Sequence, residues 1–94
     1  MRILNLPLLE AYKQNHADAR GQLDAWCIDV GRETWQTPQD IKQRFKSADF
    51  LANNRVIFNI KGNSYRLVVQ VQYKFGMASI EWVGTHADYD KKKF

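Results

Sequence analysis

The chain has 94 residues, 45% of them hydrophobic and 13% aromatic, with a formal net charge of +4. One modest core can be built from that length, so a single domain over 1–94 is expected; the composition excludes a disordered tail, and no apolar run approaches the ~20 residues of a membrane span. Residues 1–40 carry four Lys/Arg against six Asp/Glu while residues 41–94 carry ten against four, so the second half is basic and points to a polyanionic partner, or to solubility alone.

Arg2-Ile3-Leu4 is short and apolar and reads as an edge strand. No long apolar region or cleavage site follows it, so a secretory leader is not expected and the cytoplasm is the expected location. Pro7 suits the first turn of a helix, where its missing N–H has no partner to lose, and Leu8, Leu9 and Tyr12 carry that helix toward Asn15-His16. His16 reads as a helix-end residue, because no second ligand is spaced with it as a metal site requires. Asp18 starts a second helix, in which Ala19, Leu23, Trp26 and Val30 form one apolar stripe and Gly31 is a natural stop. Cys27, the only cysteine, cannot make an internal disulfide and reads as a packed thiol. Thr37-Pro38-Gln39-Asp40 is a helix start, with Thr at the cap, Pro at the first position and Asp in the first turn. Ile41, Phe45 and Ala48 or Phe50 offer its apolar face, and Lys42, Arg44 and Lys46 face elsewhere.

Ala52-Asn53-Asn54 breaks this helix and opens the most regular part of the chain. From Arg55 to Ile60, Val56, Phe58 and Ile60 alternate with Arg55, Ile57 and Asn59. Lys61-Gly62-Asn63-Ser64 is turn chemistry, since Gly and Asn tolerate positive φ. From Tyr65 to Tyr73 the odd positions Tyr65, Leu67, Val69, Val71 and Tyr73 are apolar or aromatic, while Arg66, Val68, Gln70 and Gln72 form the other face. Phe75-Gly76 turns the chain again, and Met77 to Val83 is a third strand. Thr85 then caps a terminal helical turn from His86 to Lys92, with Asp88 as its capping-box partner, and Lys91, Lys92, Lys93 and Phe94 follow. The expected architecture is α+β: a small antiparallel meander with helices packed on one face and a polar face left open.

Two stretches on that polar side carry a resemblance. Phe58-Asn59, Gly62-Asn63, Arg66 and Val68-Val69 match an FNxxGNxxRxVV run, and Thr85-His86 with Tyr89-Asp90 match a THxxYD ending. The segment from Val56 to Asp90 resembles the HigB-type toxins, a branch of the RelE-like mRNA interferases. The likeness covers a little under half of the chain; the first half agrees in layout rather than in distinctive motifs. It implies the RelE-like microbial ribonuclease fold and a toxin that cleaves mRNA in the ribosomal A site. It also implies a cognate helix-turn-helix antitoxin of the HigA type, with operator DNA reached only through that antitoxin.

The residues support the same chemistry on their own terms. Metal-independent RNA cleavage needs a base for the 2′-OH proton, cations for charge on the phosphorus oxygens, and an acid for the leaving 5′-oxygen. Histidine titrates near neutrality, which makes His86 the proton-transfer candidate in the basic half. Arg66 offers a planar pair of donors suited to phosphate. Tyr89 can stack on a base or act through its hydroxyl. The expected catalytic set is Arg66, His86 and Tyr89, with Asn59, Lys61, Lys74, Lys91 and Lys92 holding RNA. The resemblance leaves open which group is base and which is acid. No Gly-rich phosphate loop, zinc spacing or Ser-His-Asp order is present, so no metal or cofactor is expected. Arg66 could instead pair with Glu81 or Asp88, His86 could end the strand, and Tyr89 could be core. Two further functions remain possible on the same face: RNA binding without cleavage, and docking of a protein.

Overall fold

A computed structural model describes residues 1–92. In chain order the elements are β1 (Arg2–Leu4), α1 (Leu6–Asn15), α2 (Ala17–Gly31), α3 (Pro38–Arg44), β2 (Asp49–Leu51), β3 (Arg55–Ile60), β4 (Tyr65–Gln72), β5 (Met77–Thr85) and α4 (His86–Lys91), with a 3-10 turn at Tyr73–Phe75. The fold is α+β, with one five-stranded sheet in the order β1-β5-β4-β3-β2. The meander β3-β4-β5 is antiparallel, as its period-two pattern requires, and β2 pairs antiparallel on one side. β1 runs parallel to β5, with Arg2 beside Met77 and Leu4 beside Ser79, so the whole sheet is mixed.

The core lies between one face of this sheet and the helices α1 to α3. The stripe Ala19, Leu23, Trp26 and Val30 is buried along its whole length against Phe58, Leu67, Val69 and Ile80. Trp35, Phe45 and Phe58 pack ring on ring, with Phe45 and Phe58 edge to face at 5.1 Å. Thr37 accepts from the Asp40 N–H and the Asp40 carboxylate accepts in return from Thr37, so α3 begins with a complete capping box. Cys27 is half-buried beside the core, and burial pushes its thiol pKa up, as suits a packed thiol.

Several details differ from the sequence reading, each for a local reason. β2 has only three residues, too few to display a period; the left-handed turn at Asn53 and Asn54 folds it back onto β3. α3 ends at Arg44, so neither Ala48 nor Phe50 lies on it: Ala48 is buried in the core beyond the helix, and Phe50 is 40% exposed on β2. In the β3–β4 hairpin the positive φ angles fall on Lys61 and Gly62, not on Asn63. Tyr73 leaves β4 for the 3-10 turn, which ends at Gly76 with φ +63. β5 continues to Thr85, two residues past the expected end. Finally, α1 to α3 share one face, but α4 sends Tyr89 to the other.

The helix layer is tied to the start of β4 through Asp18, in the first turn of α2. The Tyr65 hydroxyl donates to both Asp18 oxygens, at 2.7 and 2.8 Å, and the Lys61 ammonium adds a contact at 3.2 Å. Hydrogen bonding to Asp18, and then burial, push the Tyr65 pKa up to about 12. The bonds from Tyr65 and Lys61 in turn hold the Asp18 carboxyl below its ordinary value. Because the folded pKa of Tyr65 is raised from 10.0, its contribution to stability is intact below pH 10 and disappears as pH rises toward about 12. The melting temperature of the parent should therefore fall more steeply than that of Tyr65→Phe across this window. Equal slopes would mean that the Asp18–Tyr65 contact is not coupled to folding.

Candidate active site

Strand alternation places Arg66 on the sheet face opposite the core, near the start of β4. Its register neighbours are Asn59 on β3 and Gly84 on β5. β5 does not keep strict alternation. Val69 pairs with Ile80 but Val68 pairs with Trp82, so Glu81 is an extra residue in a bulge. The bulge turns Trp82 away from the Ile80 side and onto the face of Arg66. There the indole lies along Gly84 so closely that a Cβ at residue 84 would stand 2.5 Å from it.

Thr85 ends the strand and caps α4, its Oγ1 accepting from the Asp88 N–H at 3.0 Å. Within one turn α4 brings Tyr89 back over the sheet, 5.8 Å from Trp82 with the rings inclined at 61°. The guanidinium carbon of Arg66 is 4.6 Å from the centre of the Tyr89 ring, a cation–π contact that fixes the arginine head. His86 opens α4. Its backbone N–H donates to Ser64 O at 3.1 Å, which ties it to the β3–β4 hairpin, while its ring stays partly exposed. The His86 Nδ1 stands 4.0 Å from Asp90 Oδ2, one helical turn on.

Two polar atoms in this row are buried and have no hydrogen-bond partner among the described residues: Arg66 Nε and Asn59 Oδ1. Each such group costs about 1–3 kcal/mol relative to a satisfied one. Asn59 cannot relieve this by turning its amide, because its Nδ2 donates to Ser47 O at 3.1 Å. Nor does Glu81 serve Arg66, since it accepts from Arg55 Nε at 2.6 Å. Among the described residues Arg66 therefore has a π partner and no carboxylate.

The tertiary structure thus gathers Arg66, His86, Tyr89 and Asn59 at one end of the open face. Lys61 does not join them: it is paired with Asp18 on the side of the helices. Lys74 lies beyond the opposite end of β4, 5.9 Å from the Phe75 ring, and eight residues at ~3.3 Å each separate it from Arg66. Lys91 and Lys92 follow Tyr89 and are exposed, and Lys93 lies outside the described residues. Tyr89 is half-exposed rather than core. Trp82 belongs to the site and was not singled out from the sequence, because alternation alone puts it with Ile80. A large aromatic two positions before a glycine was the available signal. His16 ends α1, its ring stacked on Tyr12 at 3.8 Å. Among the described residues no three His, Cys, Asp or Glu side chains stand together as a metal site would need, and no helix is long and apolar enough to cross a membrane.

A mixed five-stranded sheet with helices on one face and a cationic end on the other fits a small RelE-like α+β fold. The sequence model of the HigB toxin family, described as the RelE-like toxic component of a toxin–antitoxin system, matches residues 19–92. The chain belongs to that family: it is the toxin of a toxin–antitoxin pair, and a cognate antitoxin is its partner. No curated protein matches the chain.

The close approach at Gly84 generates a test of the site's construction. Gly84→Ala should push Trp82 off its seat and lower stability by about 1–3 kcal/mol, the usual range for overpacking. Combining it with Trp82→Leu should recover most of that loss. If the double variant is as unstable as the sum of the two single ones, the glycine is needed for something other than the indole.

Proposed function

We propose that the chain is a metal-independent endoribonuclease that cuts mRNA in the A site of the ribosome and so arrests translation and growth. The observation that carries this reading is the Arg66 guanidinium, held against the Tyr89 ring beside the strand that ends at His86 and with no carboxylate partner among the described residues. A guanidinium fixed in that way is suited to an anion brought by a ligand, and a phosphate matches its charge and planar donor set.

The chemistry follows from the placement. The 2′-OH of one nucleotide loses its proton and attacks the adjacent phosphorus; the bond to the 5′-oxygen breaks, that oxygen takes up a proton, and a 2′,3′-cyclic phosphate remains. Arg66 offsets charge on the non-bridging oxygens. His86, partly exposed at the mouth of the site, carries one of the two protons, and Asp90 near its Nδ1 helps to orient the ring. Tyr89 holds the guanidinium in place and presents its ring toward the substrate side. Lys91 and Lys92 extend the phosphate-binding surface along α4. The antitoxin is of the helix-turn-helix, HigA-like kind, and operator DNA is met only through it. The setting is the cytoplasm, where translating ribosomes are found.

Expression without the antitoxin should arrest growth and cut translated mRNA; normal growth with intact transcripts, at confirmed soluble expression, refutes the proposal. Arg66→Ala should slow single-turnover cleavage by on the order of 10²–10³-fold, and Arg66→Lys should recover only part of it, because lysine keeps the charge without the planar donor pair. His86→Ala should cost roughly 10²–10⁴-fold while ribosome binding stays near the parent value, which separates catalysis from RNA binding alone. Lys91→Ala and Lys92→Ala should weaken binding and flatten its salt dependence with the cleavage step unchanged. Correctly folded Arg66→Ala and His86→Ala variants that both cleave at the parent rate would remove this site from consideration.

Chelation supplies an independent check. Cleavage should survive EDTA once the ribosome's own magnesium requirement is met by other means, for instance on a short RNA cut slowly in isolation. Loss of activity restored by a divalent ion would refute metal independence.

A further inference from the structure

β1 pairs with β5 only from Met77 to Ser79, so the stretch from Ile80 to Thr85 forms an open sheet edge. Asn5 Nδ2 donates to Ile80 O at 2.8 Å and closes the first position of that edge. Beyond the bulge, the His86 N–H donates to Ser64 O, which fixes the phase of the β4–β5 ladder. Backbone groups alternate along an antiparallel pair, so Trp82 and Gly84 turn theirs toward β4 while Val83 and Thr85 turn theirs outward. The Thr85 carbonyl belongs to the start of α4. The N–H groups of Val83 and Thr85 and the Val83 carbonyl are thus left with no strand to pair with among the described residues.

A groove of about 380 Å³ runs beside these groups, lined by Leu8, Ala11, Tyr12 and Asn15 of α1 and by Trp82 and Val83. The α1 residues recur at helical spacing, so one face of that helix forms the wall. Outward N–H and C=O groups at a strand edge select an extended backbone, and its alternate side chains enter the adjoining groove. Leu8, Ala11, Tyr12, Trp82 and Val83 make that groove mainly apolar, so the side chain that enters is apolar. Side chains turned the other way meet the open face, where Arg66 has a π partner and Lys91 is exposed, which favours acidic residues. A second copy of this chain fits poorly, because its own α1 lies against the same edge and would meet the first. The partner that the family supplies is the antitoxin.

We propose that an extended segment of the cognate antitoxin adds to β5 as a further strand at Val83–Thr85, with an apolar side chain in the groove between α1 and Trp82. The same indole meets Tyr89 at 5.8 Å, so the seated segment abuts the candidate active site. The docking rests on membership of the toxin family; only an effect on cleavage needs the endoribonuclease reading.

Amide hydrogen exchange of the whole chain, alone and bound to the full-length antitoxin, reads the docking directly. The Val83 and Thr85 N–H groups should exchange about tenfold or more slowly in the complex than in the free chain. Ala11→Arg, at an exposed helix position on the groove lip, should weaken antitoxin binding by about tenfold or more. Its melting temperature, and any RNA cleavage without antitoxin, should stay at the parent values. Phe50→Arg, on the far edge of the sheet, should leave antitoxin binding unchanged.

Unchanged exchange at Val83 and Thr85 in the complex overturns the proposal, even where Ala11→Arg weakens binding, since the groove then takes something other than a strand. Parent-level binding by Ala11→Arg overturns it too, and so does a loss with Phe50→Arg as large as with Ala11→Arg. Slow exchange at both amides in the free chain, with a dimeric mass by sedimentation, gives the edge to a second copy and overturns it as well. Protection of both amides by the antitoxin in a chain that cuts no RNA supports the docking and rejects the enzymatic reading. Cleavage of RNA by a chain whose two amides the antitoxin leaves unprotected does the reverse.

Discussion

The pairing of β4 with strands on both sides is the constraint on which the molecule depends. Leu67, Val68, Val69 and Val71 are fully buried, and their alternation leaves only one register in which the core face meets α1 to α3. A slip of one residue would carry Arg66 into the helix layer and turn Leu67 and Val69 to the open face, a change no compensating contact could absorb. The row Asn59–Arg66–Gly84 is thus a by-product of core packing. The candidate site inherits its precision from hydrophobic residues that never touch a substrate.

Around that row the structure accepts local costs. The bulge at Glu81 gives up regular pairing, Gly84 gives up a side chain, and Arg66 Nε goes without a hydrogen-bond partner among the described residues. These departures fall at the same end of the same face. Together they bring an indole, a phenol ring and a guanidinium into contact on a rigid surface, which is the state in which a charged donor is most effective toward a ligand. These departures are held in place by β4, which is paired on both sides along the row.

Charge is sorted between the two faces by ion pairing rather than by composition. On the helix side Asp18 takes Lys61, Asp29 takes Arg44, and Lys13 is shared by Glu10 and Asp24. Burial alone would lower the Lys13 pKa, but bonds to Asp24 and Glu10 raise it on balance, so this lysine stays charged within the helix layer. Those acids are the ones that make the first half of the sequence negative. Asp18 and Asp29 thereby neutralise two cations of the basic second half on the helix side, while Arg66, on the open face, has no carboxylate partner among the described residues.

The sequence by itself determined the periods. The steps of Ala19, Leu23, Trp26 and Val30, the capping residues Thr37 and Thr85, and the alternation from Arg55 to Gln72 were legible because backbone geometry maps them directly onto one face of a helix or strand. The residues Arg66, His86 and Tyr89 were legible as a set through the family-like runs that contain them. Tertiary structure alone decided what a period cannot encode. A three-residue β2 and a parallel β1 depend on partners distant in sequence. Lys61 and Lys74 look alike in a charge count, yet one is paired with an acid 43 residues away on α2 and the other lies at the far end of β4. Trp82 joined the site because one extra residue reversed its face. Faces follow from local geometry, whereas register, bulges and edges follow from what the rest of the chain packs against.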